Sequence, residues 1–160
     1  MHTGQHYDDN MSEVFFNQLQ IPKPDFTFDI GGSKPQAEQT GLMMTSIEQV
    51  CMQVNPNIII VYGDTNSTLA AVLVAAKMHI PIVHIEAGLR SFNKQMPEEF
   101  NRIVADEFAD LLFCPTEEAV SNLKMEGIDH NGVIICGDVM CDMLKLVADK
   151  TERMFESPYY

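Results

Sequence analysis

Asn57-Ile58-Ile59-Ile60-Val61-Tyr62-Gly63-Asp64-Thr65-Asn66-Ser67-Thr68-Leu69-Ala70-Ala71-Val72-Leu73-Val74-Ala75-Ala76 is a short apolar run, a polar turn, and a longer apolar run without a polar face. The first run is short and β-branched, which predicts a strand over 57–62. Hydrophobic side chains on both of its faces suit a central strand of a parallel sheet. The second run predicts a helix over about 66–79, and a helix apolar all round is expected to be buried. A strand feeding directly into a buried helix is half of a strand-helix-strand unit.

The same alternation continues outward in both directions. Downstream, Pro81 to Ile85 predicts the next strand, followed by a polar loop through Pro97. Helix 98–109 starts with Pro97, Glu98 and Glu99, residues that suit the positive end of a helix dipole, and its inward face is expected to be Phe100, Ile103, Val104 and Phe108. Strands 111–114 and 133–136 flank a helix over 117–126, and a last helix over 139–150 carries Met140, Met143, Leu144 and Val147. Upstream, Pro35 opens a helix over 36–54, Phe26 to Phe28 reads as a short strand, and 9–20 as a helix. The fold class is α/β with a Rossmann-like parallel sheet. Such a sheet binds ligands beyond the carboxyl ends of its strands, and Gly4 to His6, Gly63 to Thr68 and Glu86 to Pro97 all fall at that edge.

Bulk properties remove several function classes. A chain of 160 residues, 46% hydrophobic, suits one domain. No apolar run approaches the roughly 20 residues of a membrane span. The N-terminus has neither the basic patch nor the apolar stretch of a secretory signal, so a cytoplasmic location is expected. The cysteines, 51, 114, 136 and 141, form no Cys-x-x-Cys pair and have no histidines at zinc-finger spacing; they read as reduced core thiols, and no metal is expected. A net charge of −13, with arginine only at 90, 102 and 153, repels polyanions and argues against nucleic acid as a partner. A diphosphate ligand would then need few, well-placed donors.

Polar residues at the sheet edge form three constellations. In Gly63 to Thr68, Asp64 is either the N-cap of the following helix or a carboxylate held for proton transfer, and Thr65, Ser67 and Thr68 are alternative phosphate donors. The turn is neither a Walker loop nor a Gly-x-Gly-x-x-Gly motif. In His84-Ile85-Glu86-Ala87-Gly88-Leu89-Arg90-Ser91, His84 is either a core histidine satisfied by a carbonyl or part of a site, and strand alternation puts it on the side of Glu86. Glu86 sits directly after a buried strand, where desolvation raises a carboxyl toward useful acid-base values. In Met96-Pro97-Glu98-Glu99-Phe100-Asn101-Arg102, Glu98 and Arg102 are four apart and can pair, with Asn101 on the same face. This is either a solvated capping cluster or a third carboxylate aimed at the crevice. Clustered carboxylates repel, so at least one should hold a proton near neutral pH.

Thr3-Gly4-Gln5-His6, Gly63 to Thr68, His84 to Ser91, Pro97 to Arg102 and Gly137-Asp138-Val139 occur in the order of the non-hydrolysing UDP-N-acetylglucosamine 2-epimerase family, which the sequence resembles over nearly its whole length. His-Ile-Glu-Ala-Gly-Leu-Arg combined with Pro-Glu-Glu-x-Asn-Arg is specific to that family. The resemblance implies one half of a glycosyltransferase-B-like two-domain fold with the active site between the halves. It implies an isomerase that interconverts UDP-N-acetylglucosamine and UDP-N-acetylmannosamine by UDP elimination and re-addition through 2-acetamidoglucal, with no metal, nicotinamide or other cofactor. Asp64, Glu86 and Glu98 match the family's catalytic carboxylates of this half, with base and acid left unassigned. Arg90, Asn101, Arg102, Gln5 and His6 match as substrate-binding positions, Gln5 resembling a residue that binds a second, activating UDP-sugar in bacterial members. The implied partners are the UDP-sugar and a second copy in a homodimer.

Members of the family begin with a Gly-Thr-Arg-Pro-Glu segment after a first strand, and Met1 falls beyond it. Residues 1–150 are therefore expected to form the N-terminal Rossmann-like domain without its first strand and helix, and 151–160 to start a linker to a C-terminal domain. The first strand is central in such a sheet, so its place is expected to be a gap flanked by unpaired backbone. The chain by itself is expected to associate and to have little or no epimerase activity. The loop from Glu86 to Glu98 is slightly shorter than in some bacterial members. Competing readings are an epimerase of UDP-2,3-diacetamido-glucuronate, a hydrolysing relative, and a non-catalytic fragment that folds against a partner. A metal-dependent phosphoesterase is suggested by Asp64 and His84-x-Glu86, without the usual second histidine-rich segment.

Overall fold

A computed structural model describes residues 1–4, 16, 20–31 and 34–155. The elements are α1 (Gln36–Val54), β1 (Ile59–Tyr62), α2 (Asn66–Met78), β2 (Ile82–Ile85), α3 (Pro97–Phe108), β3 (Leu111–Cys114), α4 (Glu117–Met125), β4 (Val133–Ile135) and α5 (Val139–Phe155). The strands pair in chain order as a four-stranded parallel sheet, with Val61 opposite His84, Ile85 opposite Phe113 and Cys114 opposite Ile135. Each crossover between parallel neighbours carries a helix, as parallel pairing requires. The α/β expectation holds, and the helix expected over 9–20 lies largely outside the described residues.

Local chemistry sets the boundaries. Asn55 ends α1 and His79 ends α2 in the left-handed conformation, each returning its amide to the last helical turn. Thr116 caps α4 by accepting the Ala119 amide at 3.2 Å. The core is assembled from Met43, Ile47 and Cys51 of α1, the alanine and valine surface of α2, and Val61, Ile82 and Leu112 of the sheet. Ala70 and Ala75 are fully buried, and their small size lets α2 lie close against α1 and α3. No helix among the described residues is long and apolar enough to cross a membrane.

The structure departs from the sequence expectations at several places. β1 is the edge of the described sheet, not a central strand, and Ile60 and Tyr62 are 52% and 63% exposed. A groove of about 540 Å³ runs along it, walled on the far side by the parallel bridge between His2 and Thr27. Apolar composition on both faces records what β1 is suited to pack against, and the described residues cover only one face. In α3 the inward face is Glu99, Asn101, Ala105 and Asp106, while Phe100 and Phe108 are 62% and 50% exposed. Burying the polar side of α3 is possible because every carboxylate on it meets donors described below. Helix α5 continues to Phe155, past its expected end near residue 150, because 151–155 holds no glycine or proline to stop it. Cys51 and Cys114 are buried, but Cys136 and Cys141 are exposed rather than core thiols.

Candidate active site

The carboxyl ends of β1 and β2 turn sharply. Gly63 has φ +59° and its amide donates to the Ile85 carbonyl at 3.0 Å, fastening the first turn to the second. Glu86 leaves β2 with φ +73°, a left-handed conformation that a side chain rarely adopts, and its amide and that of Ala87 share the Phe113 carbonyl. A strained, non-glycine backbone at a carboxylate over a sheet edge is a feature of functional sites. A Cβ on Gly63 would lie 3.2 Å from Glu86 Oε2, so the absence of a side chain there leaves the carboxylate its place.

Asp64 does not cap α2. Thr65 takes the N-cap position, without a side-chain cap bond, and the Asp64 carboxylate is paired with Arg102 Nη2. The expected pair between Glu98 and Arg102 is replaced: Arg102 Nη1 donates to Glu99 at 3.0 Å, so one fork joins Glu99 to Asp64. Glu99 is drawn inward because it also accepts the Ser91 amide and hydroxyl at 2.9 Å and the Phe92 amide at 2.8 Å. Burial opposes its ionisation, but these donors and Arg102 outweigh burial and hold its carboxyl below the usual range. Asn101 is buried and donates to the Asp64 carbonyl at 2.8 Å and to Asn66 at 3.1 Å, and Asn66 donates on to Gln36 and Gln39. Asp64 is thus fixed at both backbone and side chain.

Glu86 has the opposite electrostatics. Partial burial first, then the charges of Asp64 and Asp138, push its carboxyl above the ordinary value, with His84 and Arg102 partly offsetting them. Asp138, just before α5, belongs to the Gly137-Asp138-Val139 motif and joins the cluster without having been expected among its carboxylates. Glu98 stands exposed in the first turn of α3, on the same connection as the Asp64 partner Arg102. Arg90 is not open to the crevice: its side chain is 1% exposed, paired with Asp106 at 2.7 Å and Glu126 at 2.6 Å. His84 is fully buried between Asp106 and the Gly63 carbonyl, and Thr68 donates to the Tyr62 carbonyl at 2.6 Å. Gln5 and His6 lie outside the described residues. Sequence reasoning missed Glu99, Asp106 and Glu126. The only available signal was that Arg90 and Arg102, the two arginines in these motifs, need carboxylate partners.

The arrangement puts Glu86, whose carboxyl is raised, near Asp64, which is paired with the Arg102 guanidinium, and a carboxyl kept prone to protonation at a sheet edge suits proton transfer. A family model of UDP-N-acetylglucosamine 2-epimerase matches residues 1–159. The chain is 53% identical to the UDP-2,3-diacetamido-2,3-dideoxy-D-glucuronate 2-epimerase of Pseudomonas aeruginosa, covering 94% of this chain and 43% of that protein. It is 44% identical to the UDP-N-acetylglucosamine 2-epimerase of Methanocaldococcus jannaschii, covering 96% and 43%. The crystal structure of the M. jannaschii enzyme with UDP-GlcNAc and UDP superposes with a TM-score of 0.84 at 46% identity, over 86% of this chain and 38% of that one. The Neisseria meningitidis enzyme bound to UDP-GlcNAc gives 0.79 at 31% identity, over 97% and 43%. The chain therefore spans less than half the length of these relatives.

Proposed function

The chain belongs to the UDP-N-acetylglucosamine 2-epimerase family, and from that membership we propose that the protein carrying it interconverts UDP-N-acetylglucosamine and UDP-N-acetylmannosamine. In the forward step the C2–H bond breaks, its electron pair forms the C1=C2 double bond of 2-acetamidoglucal, and the C1–O bond breaks with its pair leaving on UDP. Re-addition of UDP and of a proton on the other face inverts C2. The C2 proton beside an acetamido group is weakly acidic, so departure of UDP and positioned carboxylates must share the barrier. The observation that carries this reading is Glu86, held in a left-handed backbone beside the Asp64–Arg102 pair with its carboxyl raised.

In this proposal Asp64 and Glu86 handle the proton at C2 and Glu98 completes the set from the rim. Arg102 and Asn101 hold Asp64 in place at the substrate's edge, and Gln5 and His6 contact the UDP-sugar. Arg90 serves the substrate indirectly, by bracing the connection that bears Glu86. Residues 1–150 form the N-terminal Rossmann-like unit, the groove beside β1 accommodates its first strand, and 151–160 lead toward the second half of the site. The protein works in the cytoplasm as a homodimer, without nucleic acid as a partner. Support for a self-complementary surface comes from the apolar face of α3, where Phe100 and Phe108 stand exposed.

A second reading is favoured by the 53% identity to the P. aeruginosa enzyme: the same chemistry on UDP-2,3-diacetamido-2,3-dideoxy-D-glucuronate. Incubating the full-length protein with each UDP-sugar in deuterated water, followed by NMR, separates the possibilities. UDP-N-acetylglucosamine should give both epimers with UDP attached and deuterium at C2. Deuterium uptake only with the diacetamido substrate selects the second reading, release of free sugar selects a hydrolysing relative, and no exchange with either defeats the proposal. Glu86→Gln should slow exchange by about 10²- to 10⁴-fold, the usual worth of a positioned acid or base.

A further inference from the structure

His84 is fully buried and both of its ring nitrogens are engaged, Nδ1 at 2.6 Å from Asp106 Oδ1 and Nε2 at 2.9 Å from the Gly63 carbonyl oxygen. A backbone carbonyl only accepts, so Nε2 carries a proton. Asp106 Oδ2 accepts Arg90 Nη1 at 2.7 Å and the Gly88 amide at 3.1 Å. A carboxylate that takes a guanidinium and a backbone amide at one oxygen is an acceptor at the other as well, so Nδ1 carries a proton too. We propose that His84 is a buried imidazolium, locked between Asp106 and the Gly63 carbonyl, and that it is the positioning residue that fixes the Asp64 turn against the Glu86 turn.

The charges around the ring are shared among few groups. Arg90 pairs with both Asp106 and Glu126, so the positive charges of His84 and Arg90 face two carboxylates, of which Asp106 is 0% exposed and Glu126 35%. Burial, followed by the Asp106 charge, pushes the Cys114 thiol up to about 11, so it stays neutral. Glu86 is electrostatically coupled to His84, Arg102 and Asp64, and Arg102 answers Asp64 directly. The ring sits on β2 two residues before Glu86 and grips the carbonyl of the residue before Asp64. One rigid group therefore sets the distance between the two carboxylates, and its charge favours ionised Glu86.

Only the positioning role rests on the epimerase reading; the protonation state does not. The test is nitrogen-15 NMR of histidine-labelled full-length protein at about pH 8, above the ordinary imidazole value near 6.5, with His84 assigned by through-bond correlation in the wild type. Protons on both ring nitrogens are expected, and an unprotonated nitrogen at either position overturns the assignment. For positioning, His84→Gln should lower kcat on the order of 100-fold, the scale of a misplaced reacting group, while the Kd for UDP by calorimetry stays unchanged; unchanged kcat overturns it. If that variant does not fold, Asp106→Asn should release the second proton of His84 at the same pH and lower kcat likewise, and retention of both protons or of full kcat counts against the proposal. A wild-type protein that shows the doubly protonated ring without epimerising any UDP-sugar removes the epimerase reading alone.

Discussion

Glu86 and Gly88, two residues apart on one connection, are constrained in different ways and fail differently when changed. Glu86 is raised by burial and by the charges of Asp64 and Asp138, so its ionised form is disfavoured in the folded state. The stability it contributes is fully present below the unfolded carboxyl value and is lost as pH rises through the higher folded value. Glu86→Gln should therefore raise Tm relative to wild type at pH 7–8, with the difference vanishing at about pH 4, near the unperturbed carboxyl value. Thermal melts across that range check it; a constant offset at all pH would contradict the like-charge account. Asp64→Asn should move the Glu86 titration downward, read by carbon-13 carboxyl NMR, because it removes the Asp64 repulsion without touching burial. Gly88 has φ +79°, and a Cβ there would lie 2.4 Å from the Ala119 carbonyl oxygen, which is backbone and cannot swing aside. Gly88→Ala should cost at least the 1–3 kcal/mol of a left-handed non-glycine residue, measured by denaturant unfolding, and should separate α4 from the Glu86 turn.

Element positions were legible in the sequence wherever composition and period agreed. The β-branched run ending at Tyr62, the polar turn, and the alanine-valine helix after it appear where expected, as do the strands ending at Ile85 and Cys114. The orientation of α3 was not legible, because hydrophobic spacing identifies the apolar face of a helix and not the face that a neighbour needs. Here the sheet edge supplies His84, Ser91 and the Asp64 turn, all requiring polar partners, and α3 answers with Glu99, Asn101, Arg102 and Asp106. The cluster was legible to the same extent: the spacing that marked Asp64 and Glu86 as edge carboxylates was enough to pair them, whereas partners of Arg90 such as Glu126 come from a distant element with no local pattern. An expected outcome follows at this scale. In the isolated chain, Phe100→Ser should change stability by no more than about 0.5 kcal/mol, as for other exposed sites. Ala105→Leu, on the fully buried side, should cost about 1–3 kcal/mol through overpacking. Equal effects in denaturant melts would mean that α3 is turned the other way.

At the scale of the whole molecule the decisive feature is the groove along β1. On one side lie Ile60 and Tyr62, exposed on the uncovered face of an edge strand, and on the other a single parallel bridge between His2 and Thr27. A parallel edge with an apolar, unpaired flank is a template for another strand. The 160-residue chain alone should therefore self-associate, although its net charge of −13 opposes contact between copies. These two influences respond oppositely to salt. Screening shortens the reach of the repulsion to about 8 Å at physiological ionic strength and about 3 Å at 1 M, but leaves strand pairing and apolar burial intact. Sedimentation velocity should accordingly show the associated fraction rising with both protein concentration and salt. Ile60→Lys, which puts a charge on the uncovered face of the edge strand, should return the chain toward monomer without changing its far-ultraviolet circular dichroism. Association that falls with salt would point instead to ion pairing between copies, and a variant that associates as fully as wild type would place the contact elsewhere, on the exposed face of α3 or α5.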